Sequence, residues 1–287
     1  MTQHGLTQPG VITPSIDSSS IEATLTAAEV AQRHRAIRVV NGTIWFTNHW
    51  LMLFSIGFGA LMIAPFLAPI FLSLGWNEPA RAIYSFYSLL CHQMAQRSFF
   101  LFGQGHPIAM YNLNALPIGT SGGTVSSEAI DMDSLRAFIG NATLGWKVAW
   151  SDRMVYMYVA TWVGGIAYAL LPRRKEVHSL SVIGFGLFLL PMAIDGFAHF
   201  LSDLQGGLSG GFRYTNDWLA QLTHHALPQW FYVGDAFGSF NSVIRLISGI
   251  CFGIGVVWFM FPRIDQAMRE TRAQLHAKLV AAGAIAE

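Results

Sequence analysis

The chain contains 287 residues, of which 53% are hydrophobic and only 11% are charged. Soluble domains carry about a quarter charged residues, so this composition predicts an integral membrane protein. A formal net charge of +1 excludes the strongly basic surface of a nucleic-acid-binding protein, and two cysteines cannot form a disulfide framework.

The first 44 residues predict a cytoplasmic extension, disordered at first and helical later. The opening stretch, "MTQHGLTQPGVITPSIDSSS", is polar and lacks an apolar core behind a basic start, so no cleavable signal peptide is expected. The run "IEATLTAAEVAQRHRAIR" that follows is rich in helix-forming residues.

Four apolar runs follow in a predicted membrane domain of residues 45–262. About 20 apolar residues suffice to cross the hydrocarbon core of a bilayer. The predicted spans lie near residues 48–75, 154–172, 179–201 and 243–261. The fourth span is expected to end at Pro262, and residues 263–287 then resemble a cytoplasmic terminal helix.

Two longer polar segments, residues 77–152 and 202–240, are predicted excursions outside the membrane. In the first, "ARAIYSFYSLLCHQMAQRSFFLFG" is apolar at helical spacing but interrupted by polar residues, which favours an interfacial or re-entrant helix. Gln93 and Arg97 would share one face of that helix. The predicted fold class is therefore all-α: an integral membrane four-helix bundle with interfacial or re-entrant outer helices.

The distribution of basic residues predicts the orientation. The short turn "PRRKEVH" joins the second and third spans, and short basic loops stay on the cytoplasmic side. We therefore expect a multi-pass protein of the cell membrane with both termini in the cytoplasm and both excursions outside.

Ionisable residues near the outer ends of the spans predict a polar cluster. Asp195 and His199 are four residues apart and share one helix face. Arg245 lies at a matching depth on the fourth span and is the first expected partner of Asp195. Arg153 competes for that role. The candidate polar site comprises Cys91, His92, Arg97, Asp152, Arg153, Asp195, His199 and Arg245.

Two further interpretations of this cluster concern metal and thiol chemistry. His92, Asp195 and His199 would form a three-ligand site with an open position, which is the arrangement of catalytic zinc. A zinc-dependent membrane hydrolase follows as one hypothesis, although no H-E-x-x-H motif is present. Cys91 is a candidate redox thiol, but apolar surroundings usually make a buried cysteine inert.

Four blocks of sequence are similar to a known family: "LLCHQMAQRSFFLFG", "LGWKVAWSDRMVYMY", "LPMAIDGFAHF" and "NSVIRLISGICFG". Over residues 80–262 the chain resembles the membrane proteins of domain-of-unknown-function family 2085. The resemblance implies a small polytopic membrane protein and no particular activity. Many relatives carry a second cysteine in the block that corresponds to Ala149–Arg153, which has no cysteine here.

The functional hypotheses therefore remain several. In the first, the outer polar cluster forms a site for a lipid-like or other amphiphilic ligand. In the second, the protein is a non-catalytic accessory subunit of a membrane complex, and the cluster is structural. Whether the protein is an enzyme stays open. Its expected partners are membrane lipid, other membrane proteins or further copies of itself, and no nucleic acid.

Overall fold

The computed structural model describes residues 26–118, 120–121, 124–125 and 132–285. The stretch predicted to be disordered at the start of the chain lies outside these residues. The described residues are mostly helical. The helices are α1 (Ala27–Ser73), α2 (Asn77–Tyr87), α3 (Met132–Ala137), α4 (Asp152–Leu170), α5 (Val182–Gly210), α6 (Phe212–Thr215), α7 (Asp217–Leu222), α8 (Gln229–Tyr232) and α9 (Phe240–Ala281).

Three helices in the described ranges are long and apolar enough to cross a membrane, namely α1, residues 182–208 of α5, and α9. The predicted second span coincides with α4, which has 19 residues. Its first turn carries the charged Asp152 and Arg153, so its apolar stretch is shorter than those of the other three. Three candidate spans therefore stand, and the count of four remains a prediction.

The first and last of these helices are longer than the sequence suggested. The expected N-terminal helix and first span form one helix, α1, which continues through Pro65 and Pro69. Likewise α9 continues through Pro262, where a helix end was predicted. Each proline removes one backbone hydrogen bond, a loss that long membrane helices commonly tolerate.

A small antiparallel sheet corrects the all-α prediction. Its strands are β1 (Ser98–Leu101), β2 (Ile108–Ala109), β5 (Gly140–Asn141) and β6 (Gly145–Ser151), in the order β2-β1-β6-β5. Phe100 lies opposite Lys147 and Leu101 opposite Trp146. A separate pair contains β3 (Thr120–Ser121) and β4 (Thr124–Val125). The pairing of β1 with β6 joins segments more than 40 residues apart, which no local hydrophobic period reveals.

The predicted re-entrant helix after the first span is correspondingly shorter. It ends at Tyr87, and Ala95–Arg97 form a 3-10 turn directly before β1. Gln93 adopts a left-handed backbone conformation with φ of 52°. Gln93 and Arg97 therefore do not share a helix face. The Gln93 amide instead donates hydrogen bonds to the carbonyls of Tyr84 and Ala149, which stabilises the bent segment between α2 and the sheet.

The described chain divides into two compact units, of which the larger contains Leu51–Ile264. Within it, Gly249 and Gly253 let α9 approach the backbone of α4 closely. A Cβ at Gly253 would lie 2.7 Å from the amide nitrogen of Thr161. On the other side of α9, Phe185 and Phe259 stack with ring centroids 4.3 Å apart. These contacts pack α4 and α5 against α9.

The smaller unit contains the described residues up to Trp50 and from Asp265. Here the N-terminal part of α1 and the C-terminal part of α9 are linked by polar contacts. Arg33 donates to the carbonyl of Ala282 at 3.0 Å, and the Trp50 indole donates to Asp265 at 3.3 Å.

Candidate functional site

Ion pairs between aspartates and arginines form the polar core of the larger unit. Asp152 opens α4 immediately after β6, Asp195 lies midway along α5, and Arg245 lies in the second turn of α9. The side chains of all three are almost completely buried. Buried charges are retained in proteins only where partners compensate them, so the identity of those partners defines the site.

Asp195 pairs with two arginines, and neither is its first expected partner. Arg153 contacts one carboxylate oxygen at 2.5 Å and Arg213 contacts the other at 2.6 Å. His199 lies 3.7 Å from Asp195 and 3.3 Å from the Arg213 guanidinium. The predicted Asp195–Arg245 pair is therefore wrong, and the competing Arg153 occupies that position, because Arg245 is engaged elsewhere.

Arg245 bridges two other aspartates. Its Nε donates to Asp152 at 2.6 Å and its Nη1 donates to Asp235 at 2.7 Å. The third nitrogen, Nη2, is buried and has no hydrogen-bond partner among the described residues. Although burial alone raises the pKa of Asp235, Arg245 and Arg97 hold it below its ordinary value. Asp235 therefore stays ionised.

Arg97 makes the longest ion pairs in the cluster. Its Nε lies 3.4 Å from Asp235 and its Nη2 lies 3.5 Å from Asp203. Its side chain keeps 18% of its surface exposed, whereas that of Arg245 keeps 1%. The Arg153 side chain is more exposed, at 26%, but its ion pair is short, so by ion-pair distance Arg97 is the most loosely held arginine of the four.

Three of the charged residues in this cluster were not predicted from the sequence: Asp203, Arg213 and Asp235. Asp203 lies in the last two turns of α5, and Arg213 and Asp235 lie between α5 and α9. The sequence feature that could have identified them is that they are ionisable residues in a mostly apolar chain. Together with Arg97, Asp152, Arg153, Asp195 and Arg245, they give four arginines and four aspartates that pair with one another.

A cavity of about 340 Å³ adjoins the cluster. Six of the eight predicted site residues line it: Cys91, His92, Arg97, Asp152, Arg153 and Arg245. Asp195 and His199 belong to the ion-pair cluster but are not among the lining residues. The cavity wall thus holds three arginines and one aspartate, so it carries an excess of positive charge although the complete cluster is balanced.

The remainder of the cavity wall is largely apolar. Leu89, Leu90, Met94 and Met154 contribute to it. Leu89 is 83% exposed and Leu90 is 50% exposed, so apolar side chains lie at the open side, whereas Asp152 and Arg245 are buried and Arg97 and Arg153 are partly buried. This arrangement presents one polar wall and one apolar rim to the same space.

A second, much smaller cavity of about 10 Å³ lies within the cluster. Polar groups dominate its wall, including Arg97, His199, Asp203, Arg213 and Asp235. Its volume is about that of one water molecule. Arg97 lines both cavities.

The geometry of the described residues offers no support for a metal site. No group of three or more His, Cys, Asp or Glu side chains in these ranges is arranged to hold a metal ion. Of the proposed ligands, Asp195 is already engaged by two arginines, and His92 lines the cavity that Asp195 does not line.

Cys91 and Lys147 lie in the bent segment and the sheet beside the cavity. The Cys91 sulfur accepts the backbone N–H groups of Gln93 and Ser151, each at 3.4 Å. Lys147 is fully buried, and its Nζ donates to the carbonyls of Gln93 and Arg136, each at 2.8 Å. Burial lowers the pKa of Lys147 to about 7.

Comparison with known families identifies the part of the chain that carries the cluster. The sequence model of the family described as "Predicted membrane protein (DUF2085)" spans β6, α4, α5 and the apolar part of α9. Residues 141–259 match this family. The predicted resemblance is therefore confirmed over that segment, which contains every residue of the ion-pair cluster except Arg97.

One curated relative of the chain is itself named as uncharacterised. The uncharacterized protein MJ1492 of Methanocaldococcus jannaschii is 47% identical over 53 residues. That alignment covers 17% of this chain and 34% of the relative, so about two thirds of the relative lies outside the match. No solved structure matches the chain. The match to DUF2085 over residues 141–259 shows a similarity to predicted membrane proteins, and the description of that family names no activity.

Proposed function

We propose that the larger cavity binds the anionic head of an amphiphilic molecule, such as an anionic membrane lipid. The observation that supports this most directly is the composition of its wall, with three arginines, one aspartate and an apolar rim. Arginine is the side chain best suited to phosphate and carboxylate groups, which its planar guanidinium binds through two parallel hydrogen bonds.

The excess of positive charge at the cavity results from how the ion pairs are distributed. Asp195, Asp203 and Asp235 compensate the arginines from the side away from the cavity and do not line it. An anion in the cavity would therefore meet guanidinium groups before it met any of these three carboxylates. Low-dielectric surroundings strengthen that attraction relative to water.

The apolar rim supplies the second half of an amphiphile site. Leu89 and Leu90 follow α2 directly and are exposed, whereas Cys91 behind them is buried. An alkyl chain that packs on these leucines would place its head group against the arginines. For the topology we propose four spans, with α4 as the second, and a cytoplasmic location of both termini. The cavity then faces the outer side of the membrane.

Native mass spectrometry of the protein in dodecyl maltoside tests the site. We expect bound phosphatidylglycerol to be detected at a lower added lipid concentration than bound phosphatidylcholine of the same chain length. Leu90→Asp places a carboxylate at the rim without removing an ion pair. It should weaken phosphatidylglycerol binding about fivefold, equivalent to about 1 kcal/mol of like-charge repulsion at short range.

Leu222→Asp is the matched control, since Leu222 is also an exposed leucine but does not line the cavity. It should bind both lipids as the wild type does. Equal retention of the two lipids by the wild-type protein, or equal effects of the two substitutions, would contradict the proposal. Those results would favour the accessory-subunit hypothesis, in which the cluster only stabilises the fold.

A further inference from the structure

Arg97 occupies the boundary between the two cavities. It lines the larger one, where the proposed ligand binds, and the smaller one within the ion-pair cluster. Its two ion pairs measure 3.4 and 3.5 Å, whereas the pairs made by Arg153, Arg213 and Arg245 measure 2.5–2.7 Å. Because longer hydrogen bonds are weaker, Arg97 is the arginine that an incoming anion can most readily draw away from its present partners.

The two aspartates that contact Arg97 would be left with different ion-pair partners if Arg97 moved. Asp235 keeps Arg245, whose Nη1 donates to it at 2.7 Å. Among the described residues, Asp203 has no such second partner. The only arginine or lysine that the described part of the chain brings within 4.0 Å of Asp203 is Arg97. Asp203 would therefore become an uncompensated carboxylate in a partly buried position.

The charge balance of the cluster indicates how that carboxylate is compensated. Four arginines and four aspartates pair in the cluster. An added anion makes the total one unit negative, and one proton restores the balance. Besides Asp203, five charged or titratable side chains line the small cavity. They are Arg97; His199 from the same helix as Asp203; Arg213 and Tyr214 from α6; and Asp235 from the loop before α9.

We propose that the bound anion takes Arg97 from Asp203 and that Asp203 then binds a proton, so the site takes up an anion and a proton together. This inference rests on the proposed function and specifies its linkage to pH. The small cavity has room for about one water, which provides a route for the proton between Asp203 and the larger cavity.

Isothermal titration calorimetry with dihexanoyl phosphatidylglycerol, below its micelle concentration, counts the proton. The phosphodiester of this lipid stays a monoanion around neutral pH, so any proton exchanged comes from the protein. Titrations at pH 7 in two buffers of different ionisation enthalpy should give different apparent enthalpies for the wild type. The difference should correspond to uptake of a substantial fraction of one proton per lipid.

Two variants assign that proton. Asp203→Asn should still bind the lipid but lose the dependence on the buffer. His199→Gln, which changes the other titratable side chain on the same helix, should retain it. Binding without buffer dependence in the wild type, or undiminished uptake in Asp203→Asn, would overturn the inference and leave the proposed function intact. Absence of lipid binding in the wild type would overturn both.

Discussion

The larger unit buries positive charge in two different ways, at the ion-pair cluster and at the sheet. In the cluster, Arg245 lies between two aspartates and remains a cation. In the sheet, Lys147 meets two backbone carbonyls, and burial lowers its pKa to about 7. A guanidinium keeps its charge at any physiological pH and is compensated here by two carboxylates, whereas an ammonium that meets only backbone dipoles can lose its proton near neutral pH.

The largest expected effect comes from removing the central arginine. Arg245→Met leaves Asp152 and Asp235 buried without their shared partner, and breaking a buried ion pair from one side costs about 3–5 kcal/mol. Unfolding followed by intrinsic fluorescence in detergent measures this loss. Arg81→Met is the control, because the Arg81–Glu78 pair is exposed and such pairs contribute about 1 kcal/mol or less. Similar losses of stability in the two variants would show that the ion-pair cluster stabilises the fold no more than an exposed pair does.

A second prediction concerns which arginine acts on Asp195. A double-mutant cycle of Asp195→Asn with Arg213→Gln should give a coupling energy of about 1–3 kcal/mol, because these side chains are in contact at 2.6 Å. The same cycle with Arg245→Gln should give a much smaller value. Equal coupling in both cycles would contradict the assignment of Arg213, and not Arg245, as a partner of Asp195.

The smallest expected effect is the pH response of Lys147. Its pKa is about 7 in the folded protein and about 10.4 in an unfolded chain, so the unfolded chain binds more protons between these values. Stability contributed by this site therefore increases as the pH rises through that window, by about 1 kcal/mol from pH 7 to 8.

Lys147→Met should remove that increment, which melting temperatures at pH 7 and 8 would show. Lys175→Met alters an exposed lysine in the basic turn and should leave the pH response unchanged. A wild-type response that persists in Lys147→Met would mean that other groups produce it.

Five of the eight charged residues in the ion-pair cluster were named from the sequence, and their pairing was only partly assigned. Asp195 and Arg245 stand out because apolar helices rarely carry charges, and the helical period placed Asp195 beside His199. The partners were not accessible in this way. Arg213 and Asp235 lie in short helices and loops between α5 and α9, and their positions depend on tertiary packing that has no sequence period.

The same dependence on tertiary packing explains why the sheet was not predicted from the sequence. The segment from Cys91 to Leu101 is apolar enough to be read as helix, but Ser98–Leu101 pairs with a strand that begins at Gly145. Long-range pairing of this kind overrides local propensity. By contrast, three of the four predicted spans coincide with long apolar runs in α1, α5 and α9, whose helical structure needs no distant partner.

A cryo-electron microscopy map of the protein with dihexanoyl phosphatidylglycerol would show whether the arginine-lined cavity holds an anionic head group. We expect phosphate density in the cavity within hydrogen-bond distance of Arg97 or Arg153, with the acyl chains beside Leu89 and Leu90. Density for the phosphate at the basic turn of residues 173–175, with the cavity empty, would contradict it.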